Sequence, residues 1–184
     1  IFIWMGFPCT STHSGPGPLR DGGPGLWGLP NLSAKDQAKV ELGNRLHRVT
    51  ASIAREAVRL RIPFVLENQK SSMAWLTEPL LHLVRKGAIF FEAHYCQYKE
   101  PWKKATYLLS FLAPSLQQVL HVCTGKKGVC SATGLRHLQL NGLDEHGIFW
   151  TLRAQAYPQA LCSCWARAIR EQLMVWNSTI APLR

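Results

Sequence analysis

Ser33-Ala34-Lys35-Asp36 at one end and Pro63-Phe64-Val65-Leu66-Glu67-Asn68 at the other frame the stretch that decides the fold. Ser33 is a helix N-cap with an acidic residue at the third helical position. Val40, Leu42, Leu46, Val49, Ile53 and Ala57 then recur at three- and four-residue spacing until Arg61, the pattern of a helix with one apolar face. Pro63-Phe64-Val65-Leu66 predicts a strand, closed by Glu67-Asn68.

Outward from that stretch the pattern repeats. Residues 1–5 read as a short buried strand ended by Gly6 and Pro8. A second helix is predicted over Ser72–Lys86, strands over Ala88–Ala93 and Thr106–Leu112, and a short helix over Pro114–Val122. The last helix runs from about Pro158 to Val175. Helices alternating with short apolar strands predict an α/β fold with a mostly parallel sheet. From Gly15 to Pro30 six glycines and four prolines exclude any helix or central strand, so this is a long loop. Its prolines remove the N–H donors that a phosphate cradle needs.

Of 184 residues, 47% are apolar and 17% charged, which excludes a disordered chain. No apolar run reaches the ~18 residues of a membrane helix, so no membrane partner is expected. Lys and Arg number 21 against 11 Asp and Glu, a net charge of +10 that favours an anionic partner such as nucleic acid. Six cysteines and no secretory signal point to reduced thiols and an intracellular setting. The chain opens on Ile1-Phe2-Ile3-Trp4-Met5 and reads as a piece of something longer.

Two constellations stand at predicted strand exits, where open α/β folds place their active sites. Gly6-Phe7-Pro8-Cys9 offers a thiol, nucleophilic if a positive field stabilises its thiolate. Phe64-Val65-Leu66-Glu67-Asn68 offers a carboxyl, which an apolar wall keeps protonated and able to donate. Adjacent strands would set Glu67 beside Cys9. Alone, each has a plainer reading, as a buried thiol and a loop carboxylate.

Together they resemble the Pro-Cys catalytic loop and Glu-Asn motif of the DNA cytosine-5 methyltransferases. Tyr98-Lys99-Glu100-Pro101-Trp102-Lys103-Lys104-Ala105-Thr106 is similar to that family's Tyr-Gly-x-Pro-Gln-x-Arg-x-Arg segment, with Lys104 at the first Arg and Thr106 at the second. Ala154-Gln155-Ala156-Tyr157-Pro158 is similar to its closing Gly-Asn-x-Val-Pro segment. Gln69 and Thr10 depart from the family pattern, and nothing matches its Asp-x-Phe-x-Gly-x-Gly cofactor loop, which would lie upstream of Ile1.

The resemblance implies a Rossmann-like (class I) S-adenosylmethionine-dependent methyltransferase fold, truncated at its N-terminus. One catalytic portion would span residues 1–184. Within it, 1–32 hold the catalytic strand and Gly/Pro-rich loop, 33–122 the helix/strand core, 123–147 a loop-rich Cys/His segment, and 148–184 the C-terminal helix region. A target cytosine in DNA would be flipped out of the duplex, Cys9 would attack its carbon 6, Glu67 would hold N3, and S-adenosylmethionine would supply a methyl group to carbon 5. Lys104 would hold the ring or a phosphate, Asn68 and Pro8 would border the cofactor, and a eukaryotic setting would be nuclear. Arg20, Lys103, Lys126 and Lys127 are the expected nucleic-acid contacts, with Trp27 and Trp102 able to stack on a base.

Cys123, Cys130 and His137, spaced Cys-x6-Cys-x6-His, are candidate ligands for a structural zinc, with His121 and Cys96 in reserve. The rival readings are a non-catalytic methyltransferase-like relic that binds nucleic acid, and a zinc-stabilised interaction domain.

Overall fold

The computed structural model describes residues 1–8, 12 and 17–179, the last three as helical backbone only. It is an α/β protein. The elements run β1 (Ile3–Gly6), α1 (Ala34–Arg59), β2 (Phe64–Gln69), α2 (Glu78–Arg85), β3 (Ile89–His94), β4 (Ala105–Phe111), α3 (Trp150–Arg153) and α4 (Gln159–Thr179). Turns of 3₁₀ helix lie at Met73–Leu76, Tyr95–Tyr98 and Pro114–Val119. The four strands form one sheet in the order β1-β2-β4-β3. β1 and β2 are parallel, and the sheet as a whole is mixed. No described helix is long and apolar enough to cross a membrane.

The chain divides into two compact units. The first holds Ile1–Phe91 and Tyr107–Ala113, the second Glu92–Thr106 and Pro114–Arg184. β3 and β4 therefore each contribute residues to both.

In the first unit, Ser33 caps α1 as its sequence position predicts, its Oγ accepting from the Asp36 N–H at 3.2 Å. The helix ends in a Schellman motif: Ile62 N–H donates to Ala57 O at 2.8 Å and Arg61 N–H to Val58 O at 3.1 Å. Arg61 takes the left-handed conformation, φ 54°, that glycine usually supplies. Of the expected apolar stripe, Val40 and Ala57 are buried, and the rest of the buried face differs. Val40, His47, Ala51, Ala54 and Ala57 face inward, while Leu42, Leu46, Val49 and Ile53 are exposed. Alanines let the helix approach closely, because interaxial distance follows side-chain size at the contact. The bulk comes instead from Phe64 and Leu66 of β2, Leu80 and Leu83 of α2, Trp75, Leu109 and Phe111, which share one core cluster with those alanines.

The predicted helix over Ser72–Lys86 is broken at Thr77, which is extended (φ −76°, ψ 140°). Pro79 lacks an N–H and fits only the first turn of a new helix, so α2 starts at Glu78.

The described part of the Gly/Pro-rich loop is folded back on α1 around two side chains. Asp21 Oδ1 accepts from the Gly23 and Gly25 N–H groups, both at 2.8 Å. The Arg20 guanidinium donates to Leu26 O at 3.0 Å, Asn44 Oδ1 at 2.7 Å and Val40 O at 3.2 Å. Gly28 has φ 134°, and a Cβ there would lie 2.8 Å from Val40 Cγ1, so the loop can seat only with glycine at that point.

In the second unit, Leu161, Trp165, Ala168 and Gln172 form the buried face of α4. The Pro114–Val119 turn is fastened to it by Ser115 Oγ donating to Ala168 O at 3.0 Å.

Candidate functional site

Two arrangements carry chemistry, one in each unit. The first is the exit of β1 and β2. Their register pairs Ile3 with Phe64 and Gly6 with Glu67, so Glu67 stands beside the end of the strand that leads to Pro8. β2 continues through Glu67 and Asn68 instead of closing before them. Phe64, Val65 and Leu66 are fully buried, as an interior strand requires, and Glu67 is 8% exposed. Asn68 Nδ2 donates to Phe7 O at 2.8 Å, and Asn68 Oδ1 accepts from the Gln69 N–H at 2.8 Å. The Glu-Asn pair is thus tied to the segment before Cys9. Cys9 itself lies outside the described residues. Three residues on, Thr12 is fixed to the turn after β2: its O accepts from Met73 N–H at 2.9 Å, and its Oγ1 from Ser72 Oγ at 2.9 Å.

Beneath this edge lies His47, a residue the sequence did not single out. It is buried, edge-on to Phe7 and Trp27 with ring centroids 5.5 Å away in each case. Its Nε2 is 2.7 Å from Thr77 Oγ1, and its Nδ1 has no partner among the described residues. Burial, with lesser contributions from Arg20 and Arg48, pushes its pKa down to about 4. His47 is therefore a neutral wedge at neutral pH.

Several expected roles are redirected. Arg20, expected at nucleic acid, is 3% exposed and holds the loop described above; burial lowers its pKa from 12.5. Trp27 carries the Arg48 guanidinium over its ring, 5.1 Å from the centroid. Asn68, expected to border a cofactor, has both amide atoms engaged in holding the strand exit, and Pro8 is exposed. Two glycines of the Gly/Pro-rich loop are filled from within, Gly28 by Val40 and Gly25 by Leu29 and Asp21. Neither of these two turns has room for S-adenosylmethionine.

Lys104 belongs to the second unit. Its Nζ donates to Ala154 O at 2.7 Å and lies 4.6 Å from the centroid of Tyr95. Lys103, Lys126 and Lys127 are exposed, as phosphate contacts need to be. Trp102 packs near Trp150, 6.4 Å between centroids.

The second arrangement is a cluster of Cys96, Cys123, Cys130 and His137, whose ligand atoms all lie within 4.8 Å of one another. The three sulfurs are buried, and they form a small core of their own. Cys123 Sγ and His137 Nε2 are 3.6 Å apart. On a tetrahedral shell with bonds of ~2.3 Å, sulfurs sit roughly 3.8 Å from one another, so this donor set can hold a metal such as zinc. The predicted trio is brought together. The fourth member is Cys96, from the Tyr95–Tyr98 turn. His121, the other reserve, is exposed and stacks on Tyr98 at 6.0 Å.

The local chain is shaped for this. Val129 pairs with Arg136 as an antiparallel bridge, closed by Cys130 N–H to Leu135 O and His137 N–H to Gly128 O, both 2.7 Å. That pairing brings Cys130 and His137 near each other. A Cβ on Gly125 would lie 1.9 Å from Val129 O, so only glycine permits the turn after Cys123. Burial alone would raise the Cys123 thiol, but the Ser131 N–H and hydroxyl and the Gly125 N–H outweigh it and hold it at about 5. Cys130 is likewise lowered against its burial by the Ala132 and Thr133 N–H groups. Cys96 has fewer donors, and burial raises it to about 12. Behind Cys123, its N–H donates to His94 Nδ1 at 3.0 Å. That nitrogen accepts, so Nε2 carries the proton of the neutral ring and faces Glu92 Oε1 at 2.7 Å.

No family model matches the chain, and neither a curated protein nor a solved structure does.

Proposed function

We propose that this chain is a Rossmann-like, DNA cytosine-5 methyltransferase-like portion whose own residues grip and attack the target base. The observation that carries the reading is the parallel register of Gly6 with Glu67. It sets a buried carboxyl, and an asparagine bonded to Phe7 O, beside the chain that leads into Pro8-Cys9. In this reading the Cys9 thiolate adds to carbon 6 of a flipped cytosine, forming a C–S bond and moving the ring's double-bond electrons toward carbon 5. Glu67, buried beside the strand exit, would donate to N3 from its protonated form as that charge develops. Carbon 5 takes a proton from water, loses its original proton, and the C–S bond breaks to restore the base. S-adenosylmethionine, when bound elsewhere in such a protein, supplies the methyl group that replaces that proton.

The exchange needs no methyl donor, and this makes it the test. DNA tritiated at carbon 5 of cytosine is expected to release tritium to water in the presence of the chain alone. Cys9→Ala should abolish release, and Glu67→Gln should slow it by about 10²-fold or more. No release from the unaltered chain would overturn the catalytic reading.

A second reading, a non-catalytic nucleic-acid-binding relic, is favoured by the engagement of Lys104 with Ala154 O and Tyr95 while Lys103, Lys126 and Lys127 stand exposed. Salt-sensitive DNA binding without tritium release would select it.

A further inference from the structure

We propose that Cys96, Cys123, Cys130 and His137 bind one zinc ion in a closed tetrahedral shell, and that this ion fastens the 123–137 loop to the Tyr95–Tyr98 turn. The proposal is independent of any chemistry at Cys9.

The donor set chooses the metal. Three thiolates and an imidazole are soft to borderline ligands, which suit zinc and exclude magnesium or calcium. Four protein ligands fill a tetrahedral shell, leaving no position for water or substrate, so the ion is structural. The Ser131 N–H and hydroxyl donate to Cys123 Sγ at 3.4 and 3.5 Å, and the Gln97 side-chain amide to Cys96 Sγ at 3.6 Å and Cys130 Sγ at 3.7 Å. Such donors disperse the charge of metal-bound thiolates and lower their nucleophilicity; a disulfide would not need them. Three sulfurs also cannot all pair with one another, whereas one ion takes all three. Behind the ligands, the Cys123–His94–Glu92 chain fixes the backbone that carries the first sulfur, as outer-shell partners do around metal sites.

The ligands come from two stretches that hydrogen bonds join and no apolar core does. Between Cys123 and His137 the only buried residues are Cys123 and Cys130, and Leu135 is 70% exposed. Leu138 N–H donates to Pro101 O at 2.8 Å, and Gln97 Nε2 to Ser131 Oγ at 3.3 Å. An ion shared by Cys96 and the other three ligands ties the same two stretches directly, and it sets the exposed Lys126–Lys127 turn on a fixed base.

Protein purified without chelator should contain one zinc per chain by elemental analysis. Metal-stripped chain refilled with cobalt should show the intense visible bands of a tetrahedral site and thiolate-to-cobalt charge transfer. Cys96→Ser separates four ligands from three: its zinc affinity should fall by more than the about 10–100-fold that loss of an outer-shell partner costs. His94→Gln should fall within that range. With zinc, the amides of 123–137 should exchange slowly with solvent; on chelation they should exchange freely while those of β2 keep their protection. Zinc well below one per chain, a weak six-coordinate cobalt spectrum, a disulfide among the three cysteines by mass, or unchanged affinity in Cys96→Ser would each overturn the proposal. The stoichiometry and cobalt spectrum are read on the unaltered chain, so a variant that fails to fold leaves the test intact.

Discussion

In the first unit, Phe64, Leu66, Leu80 and Leu83 are fully buried against the alanine face of α1, whereas the 123–137 stretch of the second unit buries little except two cysteines. Both segments keep a defined backbone, but by different means. Each fully buried Leu or Phe contributes about 1.5–3 kcal/mol, and the first unit has many of them in one cluster. The loop stretch lacks such residues and concentrates its order in Cys123, Cys130 and His137, which converge with Cys96, and in the Ser131 N–H that faces Cys123. A core of carbon is distributed and tolerant of small changes. A core of sulfur is concentrated, and losing one member removes most of it.

Leu66→Ala attacks the distributed core at its centre. Leu66 is fully buried in β2, and truncation there is expected to cost about 2–5 kcal/mol through lost burial and a residual cavity. Denaturant titration followed by hydrogen exchange should show the loss in α1 and β2. Zinc content should stay at one per chain, because all four ligands lie in the other unit. Release of the metal by Leu66→Ala would break the comparison, since it would show the second unit leaning on the first unit's core.

The same contrast explains what the sequence could and could not reveal. Ser33, Asp36 and the long helical period placed α1 correctly, because capping and periodicity are local. They placed only Val40 and Ala57 of its buried face correctly. Leu42, Leu46, Val49 and Ile53 make the stronger apolar stripe, but Ala51, Ala54 and Ala57 permit the closer approach to the sheet, and partners distant in sequence decided between them. The strand β4 lying between β2 and β3 is equally non-local. Cys123, Cys130 and His137 were legible from spacing, since they share one short loop. Cys96 was legible only as a reserve beside His121, because its approach depends on the Tyr95–Tyr98 turn and on residues far along the chain. Arg20 read as a surface cation; only the folded loop shows it bonded to Val40 O, Leu26 O and Asn44. At the strand exits, Glu67 and Asn68 came from motif alone, and register now sets them opposite and beside Gly6 and Phe7.

Acid should probe the first unit through His47. Its folded pKa, about 4, lies below its ordinary 6.5, so the native state favours the neutral ring. The associated stability is complete above pH 6.5 and falls as pH drops toward 4, by about 3 kcal/mol at most. Exposed carboxylates act lower down: Glu56, depressed from 4.5 by Arg59, and Asp36, depressed from 3.8 by Lys39, lose their contribution only below about those values. Denaturation midpoints across pH 7 to 4, with the His47 ring followed by NMR, should show the slope, and His47→Gln should flatten it. A His47 ring that titrates near 6.5 would remove this account of the first unit's acid sensitivity.

The smallest expected effect is also the most local. Ser33 Oγ accepts from the Asp36 N–H and donates to Asp36 Oδ2 at 2.7 Å, while Lys39 Nζ reaches Asp36 Oδ1 at 2.8 Å. These groups are at the surface, so removal leaves no cavity and exposes no core; what is lost is the partner of one helix-end N–H. Ser33→Ala should therefore cost about 1 kcal/mol, and Ser33→Thr, which keeps the hydroxyl, should recover most of it. Hydrogen exchange should quicken at the first-turn amides of α1 and leave the amides near Cys123 and Cys130 as they were. The loss is small because α1 owes its place to Ala51, Ala54, Ala57 and the strand beneath them, and a frayed first turn leaves that contact standing. If Ser33→Ala instead cost several kcal/mol, the order of α1 would depend on its cap more than on its buried face. The first unit would then resemble the second, with stability held at a few points.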